Sequence, residues 1–291
     1  MAETILRIVI FGLLTGGIYA LISMGLNLQY GVARVLNIAH GEFIMLGALL
    51  TYTFYTGWGI NPLLSLAISG PLLFALAFVI HGTLFKSLRT RAPSQGAFEG
   101  NSLLAAFGLL FVIQSIATLI WGAHTRAYTY LNVGVEFAGT TFTANRLIAF
   151  AVAIGASAAF YSFVTSSRPG KAIRAAAQDP ATAGLMGVNI NQVLALGFGL
   201  GAFLAGLAGL LISMYNALTT NMGLPYTVIA LIVIVLGGLG SIPGSLIGGV
   251  VIGITGEIVA TRWDPGLSVV VYYGIFLLLL LLRPAGILGK R

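Results

Sequence analysis

Apolar residues run along this chain in blocks of about 20, the length a helix needs to cross a hydrocarbon core of about 30 Å. Short polar or glycine-proline punctuation separates the blocks, and strict alternation with period two is absent. Helices, not barrel strands, are therefore the predicted spanning elements. The blocks are Met1–Tyr30, Pro62–Phe85, Ser102–Trp121, Asn145–Val164, Val193–Tyr215, Pro225–Leu236, Leu246–Ala260 and Leu267–Leu282. The fold class that follows is all-α, a polytopic transmembrane helical bundle forming one domain over residues 1–291.

One stretch departs from the pattern. Residues Arg168 to Gln192, RPGKAIRAAAQDPATAGLMGVNINQ, form a polar, helix-forming island between two apolar blocks. Asp179-Pro180 divides it: a residue before proline leaves the right-handed helical region, whereas proline suits the first turn of a new helix. Asp179 is then an N-cap. The expected order is a short helix over Lys171–Gln178, a break, a second helix over Pro180–Gly187, and Asn189 with Gln192 as a capping box opening the next long helix.

Composition and charge sharpen this picture. The chain is 58% hydrophobic and 7% charged, against roughly 25% charged in an average soluble domain. Its net charge of +7 fits the positive-inside rule and needs no nucleic acid. Lys86, Arg89 and Arg91 put the loop after Phe85 in the cytoplasm, and Arg283, Lys290 and Arg291 do the same for the C-terminus. Gly122–Thr143 becomes an external loop, and the island is cytoplasmic. Arg7 and the terminal amine favour a cytoplasmic N-terminus, which requires one early segment to be re-entrant. The choice falls on the broken, glycine-rich stretch near 31–57, giving eight full spans; nine spans with an external N-terminus is the alternative. Leu21-Ile22-Ser23-Met24 recurs as Leu211-Ile212-Ser213-Met214, as in transporters built from two related halves.

Candidate chemistry is sparse. There is no cysteine, so thiolate-metal sites are excluded, and no catalytic residue, metal or cofactor is expected. No G-x-x-x-x-G-K-[ST] loop occurs, so nucleotide phosphates are not cradled by that route. Asn37, His40 and Glu42 lie at membrane depth, where polar groups face a cavity or each other. They are candidates for a gate or translocation path, with Glu42 neutralised by Arg34 or by a helix N-terminus; capping of the next helix is the structural alternative. Gly238 and Gly240, in GGLGSIPG, either line the path opposite that segment or form a tight turn. Arg146 reads as a snorkelling residue and Glu257 as an interfacial one.

The N-terminal run GLLTGGIYALISMGLNLQYGVARVLNIAHGEFIMLGA and the island with its following helix, RPGKAIRAAAQDPATAGLMGVNINQVLALGFGLGAFLAGLAGLL, resemble the permease subunits of branched-chain amino acid ABC importers. The similarity covers nearly the whole chain, and the order Asn37, Ala39, His40, Gly41, Glu42 is its most specific part. The resemblance implies a non-enzymatic transport subunit in the bacterial cytoplasmic (inner) membrane. Its implied partners are a second permease subunit (a paralogue, or a second copy), two cytoplasmic ATP-binding subunits and an extracytoplasmic binding protein. It makes 168–192 the coupling segment, with Arg174, Gln178, Asp179, Pro180, Ala183, Leu185 and Gly187 as its docking residues. Urea, amides or other amino acids are alternative cargoes, and an ion-coupled secondary transporter using Glu42 and Glu257 is the alternative from a different class.

Overall fold

The computed structural model describes residues 2–137, 140–282 and 286. Helix α1 spans Ala2–Ala33 and α2 spans His40–Trp58. Helix α3, Pro62–Ile80, runs through a π-turn at His81–Phe85 into α4, Lys86–Arg91, so the basic segment expected as a loop is helical. Helix α5 covers Gln95–Trp121, and a hairpin of β1, Gly134–Phe137, and β2, Thr140–Thr143, precedes α6, Ala144–Ser166. The chain finishes with α7 (Arg168–Gln178), α8 (Pro180–Leu185), α9 (Ile190–Ser213), α10 (Gly223–Gly237), α11 (Ile242–Arg262) and α12 (Leu267–Leu282). The hairpin is the one addition to the expected all-α bundle among the described residues. It pairs Val135 with Phe142 inside the segment expected as an external loop.

Six of the described helices are long and apolar enough to cross a membrane: α1, α3 with α4, α5, α6, α9 and α11. Helices α10 and α12 are apolar but shorter. The protein is a multi-pass membrane protein. Its centre is α9, whose apolar stretch is 83% buried, while those of α3 and α5 are 28% and 22% buried. The outer helices turn residues such as Leu104 and Leu119 outward, as a lipid or partner-facing surface does.

Close packing at the centre depends on missing side chains. Gly16 of α1 and Gly249 of α11 face each other, and a Cβ on Gly249 would meet the Ala20 amide at 2.5 Å. A Cβ on Gly25 of α1 would meet the Gly201 carbonyl of α9 at 2.7 Å. Helix backbones in apolar surroundings gain their association from such close approach.

The two ends of the bundle are distinct. At one end the ring of Phe11 of α1 packs tilted against Phe142 of the hairpin at 4.9 Å, Tyr55 at the end of α2 donates to the Thr129 carbonyl, and Arg126 pairs with Leu218 beyond α9. At the other end Tyr30 and Arg34, at the close of α1, line a common cavity with Arg174 and Gln178 of α7. The start of α1 is thus opposite the island, and the expectation that the N-terminus shares a face with it is not met. A straight 32-residue helix of about 48 Å has one end at each face, and the end beside the island is its last turn. Arg283, Lys290 and Arg291, on which the placement of the C-terminus was based, lie outside the described residues.

The expected discontinuity near 31–57 is present but narrower, at 34–39. Arg34 ends α1 with a left-handed φ of 55°, rare for a residue with a Cβ. The chain then turns back along α1, since His40 reaches the Ile22 carbonyl, about 16 Å from the end of α1 at 1.5 Å per residue. Six extended residues can span about 20 Å, so the climb is made without helix. Helix α2 starts there, deep in the bundle, and continues to the hairpin end; the segment traverses and does not return to the face it left.

Candidate functional site

The island folds as two short helices broken at Asp179-Pro180, as expected, but α7 begins at Arg168 and not Lys171, and α8 ends at Leu185 and not Gly187. Ser167, Asp179 and Asn189 cap α7, α8 and α9: Ser167 Oγ accepts from the Gly170 amide at 3.0 Å, Asp179 Oδ1 from the Ala181 amide at 2.9 Å, and Asn189 Oδ1 from the Gln192 amide at 3.2 Å. The Thr182 hydroxyl also donates to Asp179. That bond, with the Thr182 and Ala181 amides, holds the Asp179 carboxyl below its usual range. Helix α7 is strongly amphipathic: Ile173 and Ala176 face inward, while Arg174 and Gln178 are exposed. Arg174 donates to the Thr165 carbonyl at 2.9 Å, tying α7 to the end of α6.

Within the second helix the docking candidates separate. Ala183 is buried against its own chain, at 5% exposure, whereas Leu185 and Met186 are 89% and 81% exposed. Pro180 opens the helix, and Gly187 lies beyond its end with φ 86°. The outward apolar surface is therefore Leu185 and Met186, with Ala183 as its internal support. Sequence spacing alone does not separate them, because a six-residue helix has too few turns to display a face.

The second candidate group sits where α2 begins. His40, Asn37 and Glu42 are all buried within the chain. His40 Nε2 donates to the Ile22 carbonyl at 3.0 Å. Asn37 Nδ2 donates to Gln29 Oε1, and Gln29 Nε2 donates to the Phe198 carbonyl of α9, both at 3.1 Å. Thr227 of α10 joins the break to α2: its hydroxyl accepts from the Gly41 amide at 2.8 Å and donates to the Ile38 carbonyl at 3.0 Å. A Cβ on Gly41 would overlap the Gly223 carbonyl, and one on Gly223 would overlap the Glu42 carboxylate. The first turns of α2 and α10 thus meet at Glu42, where two helix N-termini favour a negative charge. Arg34, the other proposed partner, is exposed at the island end and lies over the Tyr30 ring at 5.9 Å. All three sit where α2 begins, and none of them lines a described cavity.

Gly238 and Gly240 form a tight turn between α10 and α11, with φ of 104° and 82°. Asn27 of α1, which sequence reasoning passed over as one polar residue in an apolar helix, clamps it. Asn27 Nδ2 donates to the Ser241 carbonyl at 2.8 Å and to Ser245 Oγ at 2.9 Å, and Oδ1 accepts from the Gly240 amide. The turn and the island then share a wall. A cavity of about 590 Å³ is bounded by Arg174 and Gln178 of α7, Tyr30 and Arg34 of α1, and Gly240 and Ser241 of the turn. The end of α7, the end of α1 and the clamped turn thus border one cavity.

At the hairpin end two further cavities meet. One of about 360 Å³ lies under the 127–132 segment. A deeper one of about 210 Å³ lies among α1, α6, α10 and α11. Arg146, Tyr215 and Asn216 line both. Arg146 is held over the rings of Phe11 and Tyr215, at 5.5 and 5.4 Å. No group of His, Asp and Glu suited to a metal ion occurs among the described residues.

Comparison with known proteins follows the same outline. A family described as the branched-chain amino acid transport system / permease component matches residues 8–280. The chain is 31% identical over 288 residues to the high-affinity branched-chain amino acid transport system permease protein BraD of Pseudomonas aeruginosa, covering 96% of this chain and 94% of that protein. It is 30% identical over 295 residues to the corresponding Escherichia coli K12 protein LivH, with the same coverage. Among solved structures it resembles a chain of PsaBC from Streptococcus pneumoniae in complex with Fab, with a TM-score of 0.53 and 11% identity over 98% of this chain and 97% of that one. That likeness concerns the fold alone.

Proposed function

The chain belongs to the branched-chain amino acid transport permease family, and from that premise we propose that it is the membrane-spanning subunit of an ATP-driven importer passing branched-chain amino acids into the cell. The observation that carries the mechanism is the shared cavity of α7, the end of α1 and the Gly238–Ser241 turn. A segment projecting Leu185 and Met186 into its surroundings suits a groove on a soluble partner. With no phosphate-binding loop in the chain, that partner supplies ATP hydrolysis. The family implies ATP-binding and substrate-binding partners generally. Two cytoplasmic ATP-binding subunits, a paralogous permease and an extracytoplasmic binding protein are the composition we favour. We place the assembly in the cytoplasmic membrane, with residues 1–291 as a single permease domain and 168–192 as its coupling segment.

In this reading the island is cytoplasmic and the hairpin end faces outward. The path then runs through nine passages, counting α2 and the short helices α10 and α12, with the N-terminus outside. This replaces the eight passages and cytoplasmic N-terminus expected from charge. A single arginine at position 7 is a weak determinant beside Lys86, Arg89, Arg91, Arg168, Lys171 and Arg174, all of which this orientation keeps inside.

Movement of the ATP-binding subunits shifts α7 and α8 as a unit, because Asp179 joins them by capping. The shift reaches the cavity wall, and through Arg34 and Gly240 it alters the packing of the 34–39 segment and of the turn held by Asn27. Asn37, His40 and Glu42 act in this scheme by keeping the α2–α10 junction intact, and Gly238 and Gly240 by allowing the turn to form.

The test is uptake of labelled leucine by proteoliposomes holding this chain with its permease, ATP-binding and binding-protein partners. ATP-dependent uptake that requires the binding protein supports the reading. Uptake driven by an ion gradient without ATP, or uptake of urea and not leucine, overturns it.

A further inference from the structure

The deeper of the two outer cavities has a composition that neither snorkelling nor interfacial anchoring explains. Arg146 from α6 and Glu257 from α11 both line it, together with Tyr215, Asn216 and Tyr226. Leu14, Ile18 and Ile212 supply an apolar wall. The cavity measures about 210 Å³, below the roughly 300–1,000 Å³ of drug-sized pockets. It therefore suits a small solute. One cation, one carboxylate, hydroxyl and amide groups and an aliphatic wall are the complement of a zwitterion with a branched apolar side chain.

We propose that this cavity is a binding site for the free α-amino acid on its way inward: Arg146 and Asn216 take the α-carboxylate, Glu257 takes the α-ammonium, and Leu14, Ile18 and Ile212 receive the side chain. The Arg146 guanidinium carbon lies over the rings of Phe11 and Tyr215, and the N–H donors of that group match a carboxylate in bidentate geometry. Opposite charges on different walls cost less when a ligand carrying both complements them than when either is buried alone. The adjoining cavity, which shares Arg146, Tyr215 and Asn216, leads from the hairpin loop. Tyr226, which lines the cavity, precedes Thr227, which holds the α2–α10 junction, so one turn of α10 serves both.

The site rests on the transport reading, and the experiment separates the two. ATP-driven leucine uptake is measured in proteoliposomes of the full complex for wild type, Arg146→Gln, Glu257→Gln and the control Glu99→Gln, normalised to folded protein. The expected result is at least a tenfold loss for Arg146→Gln and Glu257→Gln, partial recovery with Arg146→Lys, and a control within twofold of wild type. Uptake within twofold of wild type in both variants overturns the site and leaves the transport reading standing. A wild-type complex that moves no leucine under ATP removes both. Because a variant can fail to accumulate, the wild-type complex without binding protein supplies a second readout by equilibrium binding of labelled leucine. Competition by unlabelled isoleucine, but not by leucinamide or 4-methylpentanoate, supports recognition of both charged groups. Equal competition by all three overturns it.

Discussion

Gly41 at the start of α2 and Thr227 in the first turns of α10 meet through a 2.8 Å hydrogen bond from the glycine amide to the threonine hydroxyl. The two helices begin deep in the bundle and their first turns face each other, so backbone groups that a helix leaves unpaired find partners away from water. The junction ties α2 to α10 inside the bundle, and it is the first place to test.

Thr227→Val keeps the shape of the side chain and removes the hydroxyl. It strands the Gly41 amide and the Ile38 carbonyl, each costing about 1–3 kcal/mol if left unpaired in the interior. Thermal denaturation in detergent is expected to show a clearly lowered midpoint, with Thr227→Ser close to wild type. Equal midpoints for Val and wild type contradict the role given to this hydroxyl.

His40 is tied to the Ile22 carbonyl of α1 and lines none of the described cavities. His40→Ala is expected to lower the amount of folded protein several-fold while leaving leucine uptake per folded molecule within about twofold. Normal abundance with abolished uptake would return His40 to the translocation path.

The island divides into inward and outward residues. Leu185→Asp and Met186→Asp are expected to leave folding intact and to reduce co-purification with the ATP-binding subunits at least fivefold. Ala183→Asp instead carries a charge into a buried position, at roughly 2–4 kcal/mol, and is expected to lower the yield of the chain itself. Co-purification unchanged by Leu185→Asp argues against α8 as the docking surface.

Sidedness is directly accessible because the chain has no cysteine. In intact cells a membrane-impermeant thiol reagent is expected to label Ile5→Cys and not Met186→Cys, and in inverted vesicles the reverse. Labelling of both from the same side excludes the nine-passage arrangement.

Much of this was legible in the sequence for identifiable reasons. Asp179-Pro180 and Asn189 mark helix boundaries through local chemistry, and the end of α7 and the starts of α8 and α9 lie where those residues put them, whereas the Ser167 cap starts α7 at Arg168 and not at Lys171. Apolar blocks located the long helices, since burial in lipid demands the same composition everywhere along them. The direction of α1 was not legible, because charge counting weighs Arg7 without knowing that Phe11 packs against the hairpin. Nor were the partners of Glu42: whether a carboxylate meets Arg34 or a helix terminus depends on a tertiary approach made by Gly41 and Gly223. Asn27 and Thr227 carried no signal, as single polar residues in apolar helices look alike until the turn or break they hold is seen. Arg146 and Glu257 are 111 positions apart, and only the packing of α6 and of α11 against α1 brings them to one cavity.

The central claim is that the Arg168–Gln192 segment transmits ATP-driven movement to the end of α1 and the Gly238–Ser241 turn across their shared cavity. Spin labels at Gln178→Cys and Leu239→Cys, on opposite walls of it, report this directly in the assembled complex by electron–electron distance measurement. The account predicts a change in the label separation on ATP binding that disappears when Leu185→Asp is added. A separation that is the same with and without ATP in the otherwise native complex would contradict it.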